Sequence, residues 1–164
     1  MKKRLISEYF AFVLIFFAVL FFLMKVYIVF IAILFIWYVM FGFVGIAYIL
    51  STMRHIKLSN FFIMVTFPKL LLPFRKSFYF WVKSVNIILK DPKNVSLAYE
   101  YAKQVNIDTL YTDNNKSMFY SYLASIYADL NQKELFLKYL DLAKKTPHKK
   151  MLDITIEQLE KLYR

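Results

Sequence analysis

The side chains that could do chemistry in this sequence are few and scattered. The two histidines, His55 and His148, stand far apart, and neither has a second metal ligand three or four residues away. Zinc sites need three or four such ligands, and cysteine is absent from the chain. A nucleophilic serine or threonine needs a base within reach, which the helical core does not offer. We therefore expect no metal, no cofactor and no catalytic residues, and predict that the chain is not an enzyme.

Two further arrangements deserve comparison with known chemistry. Asp153, Glu157 and Glu160 are spaced along one helix face, a pattern more typical of a solvated surface than of paired acid and base catalysts. Gly42 and Gly45 are the only glycines and lie in an apolar stretch. A glycine-rich loop that binds phosphate is therefore excluded.

The run KKTPHKK, residues 144–150, concentrates positive charge in a short segment. A loop between helices explains it best, with anionic lipid and then RNA or DNA as the weaker alternatives. No aromatic stacking surface or known nucleic-acid module accompanies the run. Nucleic acid is therefore disfavoured as a partner.

Composition indicates a membrane protein. Of the 164 residues, 60% are hydrophobic and 20% aromatic, and the mean hydropathy is +0.47. A soluble domain is nearer half apolar. The formal net charge is +11, and residues 1–74 contain a single acid, Glu8. This charge pattern favours topology signals and anionic lipid headgroups over a nucleic-acid surface. The many Lys, Asn, Ile, Phe and Tyr residues resemble the output of an AT-rich bacterial genome.

Residues 9–53 carry one charge, Lys25. As one helix they would run about 67 Å, more than twice the ~30 Å thickness of the hydrocarbon core. The chain must therefore reverse, and Lys25 is the predicted place. The sequence thus predicts a two-helix transmembrane hairpin over residues 1–57, with spans near 5–24 and 26–50.

Basic residues flank one side of this hairpin. Residues 2–4 are all basic and Arg54, His55 and Lys57 follow the second span, whereas the turn has only Lys25. The positive-inside rule then places both termini in the cytoplasm. A cleaved signal peptide fits less well, because the apolar stretch is too long and no cleavage site follows it. We expect an integral protein of the bacterial cell membrane.

Four residues are candidates for packing between the membrane helices: Gly42, Gly45, Trp37 and Tyr38. The spacing of the glycines is not that of the GxxxG dimer motif, so packing within the hairpin is favoured. Neither span has an acid, amide or histidine at depth, which argues against a transporter or channel.

Residues 58–74 connect the apolar and polar halves and are interrupted by Pro68 and Pro73. Their uncharged run is too short for a third span. Two interpretations stay open. The segment is either an interfacial apolar linker, with basic side chains reaching lipid phosphates, or a linker packed on the polar half.

Residues 75–164 are predicted to form an all-α cytosolic domain. Three pairs, Asp91-Pro92, Asn131 with Glu134, and Thr146-Pro147, have the composition of helix N-termini. No strand pattern of comparable length is present. The predicted helices are 76–90, 93–106, 115–130, 132–145 and 148–163.

The stretch around residues 118–147 has a further regularity. Residues on its first helix follow the spacing W-x2-L-G-x2-Y, and large and small residues follow on its second helix. The positions are Tyr120, Leu123, Ala124 and Tyr127, then Phe136, Leu140 and Ala143. Over this range the chain resembles a tetratricopeptide repeat (TPR), although Phe136 replaces a small residue and Asn131 replaces the turn glycine. A much poorer copy lies upstream.

The resemblance implies a concave groove, formed mainly by the first helix of each pair, that binds a peptide or a partner helix. The candidate groove residues are Lys83, Asn86, Ser121, Tyr122 and Ser125, although an ordinary solvated helix face would explain each of them equally well. The expected function is a membrane-anchored, non-catalytic scaffold or adaptor for a protein partner at the inner face of the membrane. The alternative is a small accessory or immunity-type membrane protein whose hairpin recognises another membrane protein or peptide.

Overall fold

The computed structural model describes the backbone of residues 2–161 and the side chains of residues 9–161. This part of the chain is all-α, with nine helices, no strands and 77% of residues helical. A short 3₁₀ turn spans Ile107–Thr109. The helices are α1 Lys2–Leu23, α2 Tyr27–Phe41, α3 Val44–Thr52, α4 Ile56–Met64, α5 Pro73–Lys90, α6 Val95–Ala102, α7 Asp113–Asp129, α8 Lys133–Lys145 and α9 Met151–Lys161.

Helices α1 and α2 form a hairpin that reverses at Lys25, as the charge pattern predicts. Lys25 has a left-handed backbone conformation with φ of 60°. The ring of Phe22 packs on Tyr27 and Phe30 across the turn, with centroid distances of 5.8 and 5.2 Å. Ala18 of α1 is almost fully buried. A small residue at a helix contact lets the two backbones approach closely.

The prediction of one continuous helix over 26–50 is wrong. Helix α2 ends at Phe41, Gly42 adopts φ of 58° and ψ of −169°, and α3 begins at Val44. That conformation is essentially restricted to glycine. The chain consequently bends by 55° between α2 and α3. None of the helices in the described part is by itself long and apolar enough to cross a membrane, and only α2 and α3 together reach the required length and composition.

Helices α3 and α4 form a second hairpin, which packs on α5. Ser59 donates a hydrogen bond to the carbonyl oxygen of Ala47 at 2.7 Å, and the Asn86 side chain donates to Ser59 at 2.8 Å. Around these contacts lies a small buried apolar cluster. Its members are Val44, Ala47, Ile63, Leu71, Tyr79 and Val82. Residues 58–74 therefore contain most of α4, the turn after it and the first residues of α5, and α4 packs on α3 and α5.

The polar half consists of two helix pairs followed by α9. Helix α5 pairs with α6, α7 pairs with α8, and α9 contacts both α7 and α8. A second and larger hydrophobic core is formed by residues of α5 to α9. Phe136 is fully buried in this core, next to α7, and Tyr120 is half-buried against Tyr139. The other residues of the TPR-like pattern are buried as well: Leu123, Ala124, Tyr127, Leu140 and Ala143.

Each predicted helix of this half overlaps an observed one, but α6 ends at Ala102 instead of residue 106 and α9 begins at Met151 instead of residue 148. The predicted N-caps do not form. Asp91 ends α5 and accepts from the backbone N–H of Lys93, so α6 begins two residues later than expected. Asn131 has φ of 56° and lies in the turn after α7. Thr146 donates to the carbonyl of Leu142 and so ends α8 rather than starting α9. Two other residues do form caps: the Thr112 hydroxyl accepts from the N–H of Asn115 at the start of α7, and the Asn106 side chain accepts from the N–H of Asp108 at the start of the 3₁₀ turn.

Substitution of Gly42 tests the bend. In Gly42→Ala the new Cβ would lie 2.6 Å from Thr66 Cγ2 and 3.0 Å from Leu71 Cδ2, in a conformation that disfavours any side chain. We expect the free energy of unfolding to fall by about 1–3 kcal/mol, measured by thermal unfolding in detergent micelles. Gly45→Ala is the matched control, because its Cβ would meet only Arg75 at 3.5 Å. Equal stability of the two variants would contradict the role assigned to Gly42.

Candidate binding groove

A groove of about 430 Å³ opens between α3, α5, α7 and α9. Its floor is apolar, hydroxyl groups lie around it, and Arg54 is the one charged residue among the lining residues. The lining residues are Tyr48, Ser51, Thr52, Arg54, Trp81, Val82, Val85, Leu89, Met118, Ser121, Tyr122, Ser125, Leu152, Thr155 and Leu159. The groove thus offers apolar contact, hydroxyl oxygens and one cation.

Helical spacing explains which residues of α5 and α7 reach the groove. Trp81, Val85 and Leu89 follow one another at intervals of four residues, and Ser121 and Ser125 do the same. Residues four apart lie on the same side of an α-helix. Each helix therefore presents one continuous stripe to the groove, while its other faces bury residues in the two cores.

Hydrogen bonds fix the polar groups of the α7 wall. Ser84 donates to the carbonyl oxygen of Ala98 at 2.5 Å, so the Tyr122 hydroxyl, 2.7 Å from Ser84, acts as donor to it. Burial raises the pKa of Tyr122, and the bond with Ser84 only partly opposes that effect. The phenol is therefore neutral at physiological pH. Its hydrogen bond to Ser84 positions α7 against α5.

The two serines of this wall are turned toward their own helix. Ser121 donates to the carbonyl of Ser117 at 3.0 Å, and Ser125 donates to the carbonyl of Tyr122 at 2.8 Å. Their protons are thereby used, and the hydroxyl oxygens keep lone pairs that can accept. A ligand in the groove would meet hydrogen-bond acceptors on α7 and a donor, Arg54, after α3.

The five groove residues predicted from the sequence separate into two sets. Ser121, Tyr122 and Ser125 line the groove, whereas Lys83 and Asn86 do not. The Lys83 ammonium lies over the ring of Tyr101, 4.4 Å from its centroid. Asn86 is buried and donates to Ser59 and to Asn60 of α4. These two residues face away because they fall between the α5 positions that line the groove.

Two walls of the groove, α3 and α9, were not predicted from the sequence. The α3 wall was assigned to a membrane span, and nothing in its apolar composition distinguishes a lipid-facing helix from one that packs on a domain. The α9 wall carried a usable signal, since Leu152, Ile156 and Leu159 form an apolar stripe, and Ile156 and Leu159 are buried. Tyr163 continues this spacing in the sequence and lies outside the described residues.

The four candidates for packing between the predicted membrane helices lie at the junction with the 58–74 segment. The Tyr38 hydroxyl donates to the carbonyl of Val65, and its ring packs on Phe43 and Phe67. Trp37 stacks on Phe41 within α2, with 5.9 Å between ring centroids. Beside them, Gly42 closely approaches Thr66, and Gly45 faces Arg75. These residues therefore contribute to contacts within the chain.

The turn before α9 is held by His148. Its Nδ1 lies 2.6 Å from the carbonyl oxygen of Thr146, and its Nε2 lies 2.9 Å from Asp153 Oδ1. Both partners are acceptors, so the imidazolium, with a proton on each nitrogen, satisfies both. These bonds raise the pKa of His148, the backbone bond most strongly. Two further contacts hold α9: Lys144 pairs with Glu160, and the Lys149 N–H donates to Asn114.

This contact predicts a pH dependence at one edge of the groove. The pKa of His148 is raised in the folded chain, so its stabilising effect is complete below the unfolded value of 6.5 and is lost as pH rises through the folded pKa. We expect hydrogen exchange in α9, corrected for the intrinsic rate, to be faster at about pH 8 than at about pH 6. His148→Ala should remove most of this difference, whereas Lys149→Ala should keep it. An unchanged difference in His148→Ala would contradict the assignment.

The lining residues of the groove include no His, Asp or Glu. Among the residues that the structure describes, no three His, Asp or Glu side chains cluster so as to hold a metal ion. The chain matches no family model, no curated protein and no solved structure.

Proposed function

We propose that this chain is a membrane-anchored, non-catalytic adaptor whose groove holds apolar side chains of a protein partner at the inner face of the membrane. The groove between α3, α5, α7 and α9 is the observation that carries this proposal. Its volume falls within the range of about 300–1,000 Å³ in which ligand sites occur. It is large enough for a few side chains and too small for an entire helix.

The arrangement of helices supports a TPR-like interpretation of the polar half. Helices α5, α7 and α9 line the groove, while no residue of α6 or α8 does. In a tetratricopeptide solenoid the concave surface is likewise formed by the first helix of each pair. Phe136 fits this arrangement, because it is buried between α7 and α8 and does not prevent their antiparallel packing.

The chemistry of the groove defines the expected partner. An apolar floor favours aliphatic or aromatic side chains, and Arg54 at the edge favours a carboxylate next to them. The acceptor oxygens of Ser121 and Ser125 suit backbone or side-chain N–H donors. A short peptide segment with apolar residues, one acid and free N–H groups meets these requirements.

Anchoring is proposed from the exposed apolar surface of α1 and α2. Most side chains of α1 from Tyr9 onward and many of α2 are large, apolar and exposed, which is far more than monomeric soluble proteins leave in water. Each helix has an apolar segment of fifteen residues, about 22 Å long. The tip of the hairpin therefore comes close to the opposite headgroups, which the Lys25 side chain can reach by extending. Because the two helices are antiparallel, both ends of the hairpin lie on the same side.

The alternative function keeps the hairpin itself as the recognising part. The exposed apolar faces of α1 and α2 favour it, since a partner membrane helix could pack there as well as lipid. Tyr38 and Gly42 contact the chain itself, so recognition would rest on the exposed side chains of the hairpin. This alternative predicts that damage to the groove leaves activity unchanged.

Photocrosslinking tests the groove. With p-benzoylphenylalanine at Thr155, an exposed residue of the α9 wall, we expect adducts to a protein in intact cells. Leu89→Arg places a charge at the groove edge and should weaken the adduct on the order of tenfold, the effect of losing one buried leucine contact. Leu97→Arg on α6 is the matched control, because Leu89 and Leu97 are 45% and 50% exposed. Equal loss in both variants, or adducts to lipid alone, would refute the proposed partner.

Cysteine labelling tests the orientation. The chain has no cysteine, so Lys25→Cys and Lys149→Cys each create a single thiol. With a membrane-impermeant maleimide we expect labelling at position 149 only after lysis, because the polar half lies in the cytosol. Labelling at position 25 in intact cells would show that the hairpin crosses the bilayer. Labelling at position 149 in intact cells would show that the polar half lies outside the cytosol, and would contradict the proposed cytosolic adaptor.

A further inference from the structure

We propose that the outward side of the α3–α4 hairpin lies in the headgroup region of an anionic bilayer and holds the groove at the membrane surface. We call this surface the outer face. It consists of Ile46, Ile49 and Met53 from α3 and its turn, and Leu58, Phe61 and Met64 from α4. The proposal rests on the anchoring proposed above and adds a second, separate membrane contact.

The two helices of this hairpin have apolar side chains on both sides. On the inner side, Ala47, Ser59 and Ile63 are buried against α5 and against each other. The outer face lies about half a helical turn away from these positions on each helix, as its residue spacing requires. A helix that is apolar on both sides needs a second apolar environment, and the described chain supplies one on the inner side only.

The exposure of the outer face is large and continuous. Phe61 is 52% exposed and Met64 is 76% exposed, and the remaining members are exposed as well. Phe67 and Leu70 extend the apolar surface along the turn that follows α4. Contiguous apolar patches of this kind mark contacts with a membrane or another protein.

Charge favours a lipid surface as the occupant. Lys57 and Lys69 are exposed beside the outer face, and the sequence contains no acid between residues 9 and 90. Basic side chains around an apolar face are typical of helices that lie in the headgroup region of anionic membranes. A second copy of the chain is disfavoured, because a symmetric interface would bring these cations together.

The bend at Gly42 gives the outer face its position. Helix α3 leaves the end of α2 at 55°, so it turns away from the direction of the proposed membrane hairpin. If α2 and α3 formed one broken span, the polar contacts of Ser59 and Asn86 with α3 and α4 would be drawn into the hydrocarbon, where polar groups are costly. If α3 instead lies along the membrane interface, these contacts and α5 stay outside the hydrocarbon.

This placement has a consequence for the groove. Tyr48 and Ser51 line the groove from the side of α3 opposite to Ile46, Ile49 and Met53. A helix whose outer face rests on lipid then forms the groove wall with its inner face. The groove would consequently lie about one helix diameter, roughly 10 Å, from the headgroups. A partner segment that projects from a neighbouring membrane protein would reach it without a long linker.

Spin labels test the outer face in the full-length protein. Single cysteines at Ile49, Phe61 and Met64 would carry nitroxides in vesicles of phosphatidylcholine and phosphatidylglycerol, with Ile31 as reporter of the α1–α2 hairpin. Leu97 and Leu137 are controls of similar exposure on α6 and α8. Each label is tested for its accessibility to oxygen and to a water-soluble nickel complex. We expect the ratio of the first to the second to be severalfold higher at positions 49, 61 and 64 than at the controls.

The outcomes separate this proposal from the anchoring on which it rests. Water accessibility at 61 and 64 with lipid accessibility at 31 would overturn the outer-face proposal and leave the hairpin anchor intact. Water accessibility at 31 would overturn both. Protection of 61 and 64 from both reagents would show that protein, including a second copy, covers the face, and would also overturn the proposal.

Charge reversal supplies an independent readout. Lys57→Glu combined with Lys69→Glu should reduce the lipid accessibility of a label at Met64 severalfold in vesicles containing phosphatidylglycerol, and much less in phosphatidylcholine alone. Lys133→Glu combined with Lys138→Glu on α8 changes the net charge equally and should have no effect. An equal response in both double variants would contradict the role of the cations beside the outer face.

Discussion

Burial of α5 on two sides is the constraint on which the rest of the structure depends. One side packs Tyr79 and Val82 against α3 and α4, and another places Trp81 in the core, with its ring 5.3 Å from that of Phe119. The Trp81 ring also lies 6.5 Å from Tyr48, so one side chain contacts both halves of the protein. A helix shared by two cores cannot shift against one without disturbing the other, because protein interiors are close-packed. The apolar and polar halves are thereby held in a fixed relation.

Buried serines set the register between these helices. Ser59 bonds to Ala47 and Asn86, Ser84 to Ala98 and Tyr122, and Ser117 to the carbonyl of Ala143. Each such bond contributes only about 0.5–1.5 kcal/mol, but a buried partner left unsatisfied costs about 1–3 kcal/mol. A sliding of one helix by a turn would orphan several of these groups at once. The serines therefore specify one alignment, while the apolar contacts supply most of the stability.

The sequence allowed the helical polar half to be predicted because its apolar residues recur with the helical period, as in Leu152, Ile156 and Leu159. It did not allow the caps to be predicted, because the polar residues that cap the start of a helix also occur at helix ends. Asn131, for example, adopts a left-handed conformation in the turn after α7. The break at Gly42 was missed since hydropathy is continuous across it. Two of the five predicted groove residues, Lys83 and Asn86, do not line the groove for a related reason: pattern analysis finds the face of a helix, not which neighbour covers that face.

The contribution of α3 to the groove has a thermodynamic consequence. Without α3, the concave side of α5, α7 and α9 would be an open apolar surface, whereas with it the remaining cavity is about 430 Å³. On the proposed function, a ligand that binds between α3 and α7 favours one position of α3, and α3 is attached through Gly42 to the hairpin. Linkage is reciprocal, so any membrane or partner interaction that favours this position of α3 strengthens binding in the groove by the same factor. On the proposed function, one short helix would therefore couple anchoring to recognition.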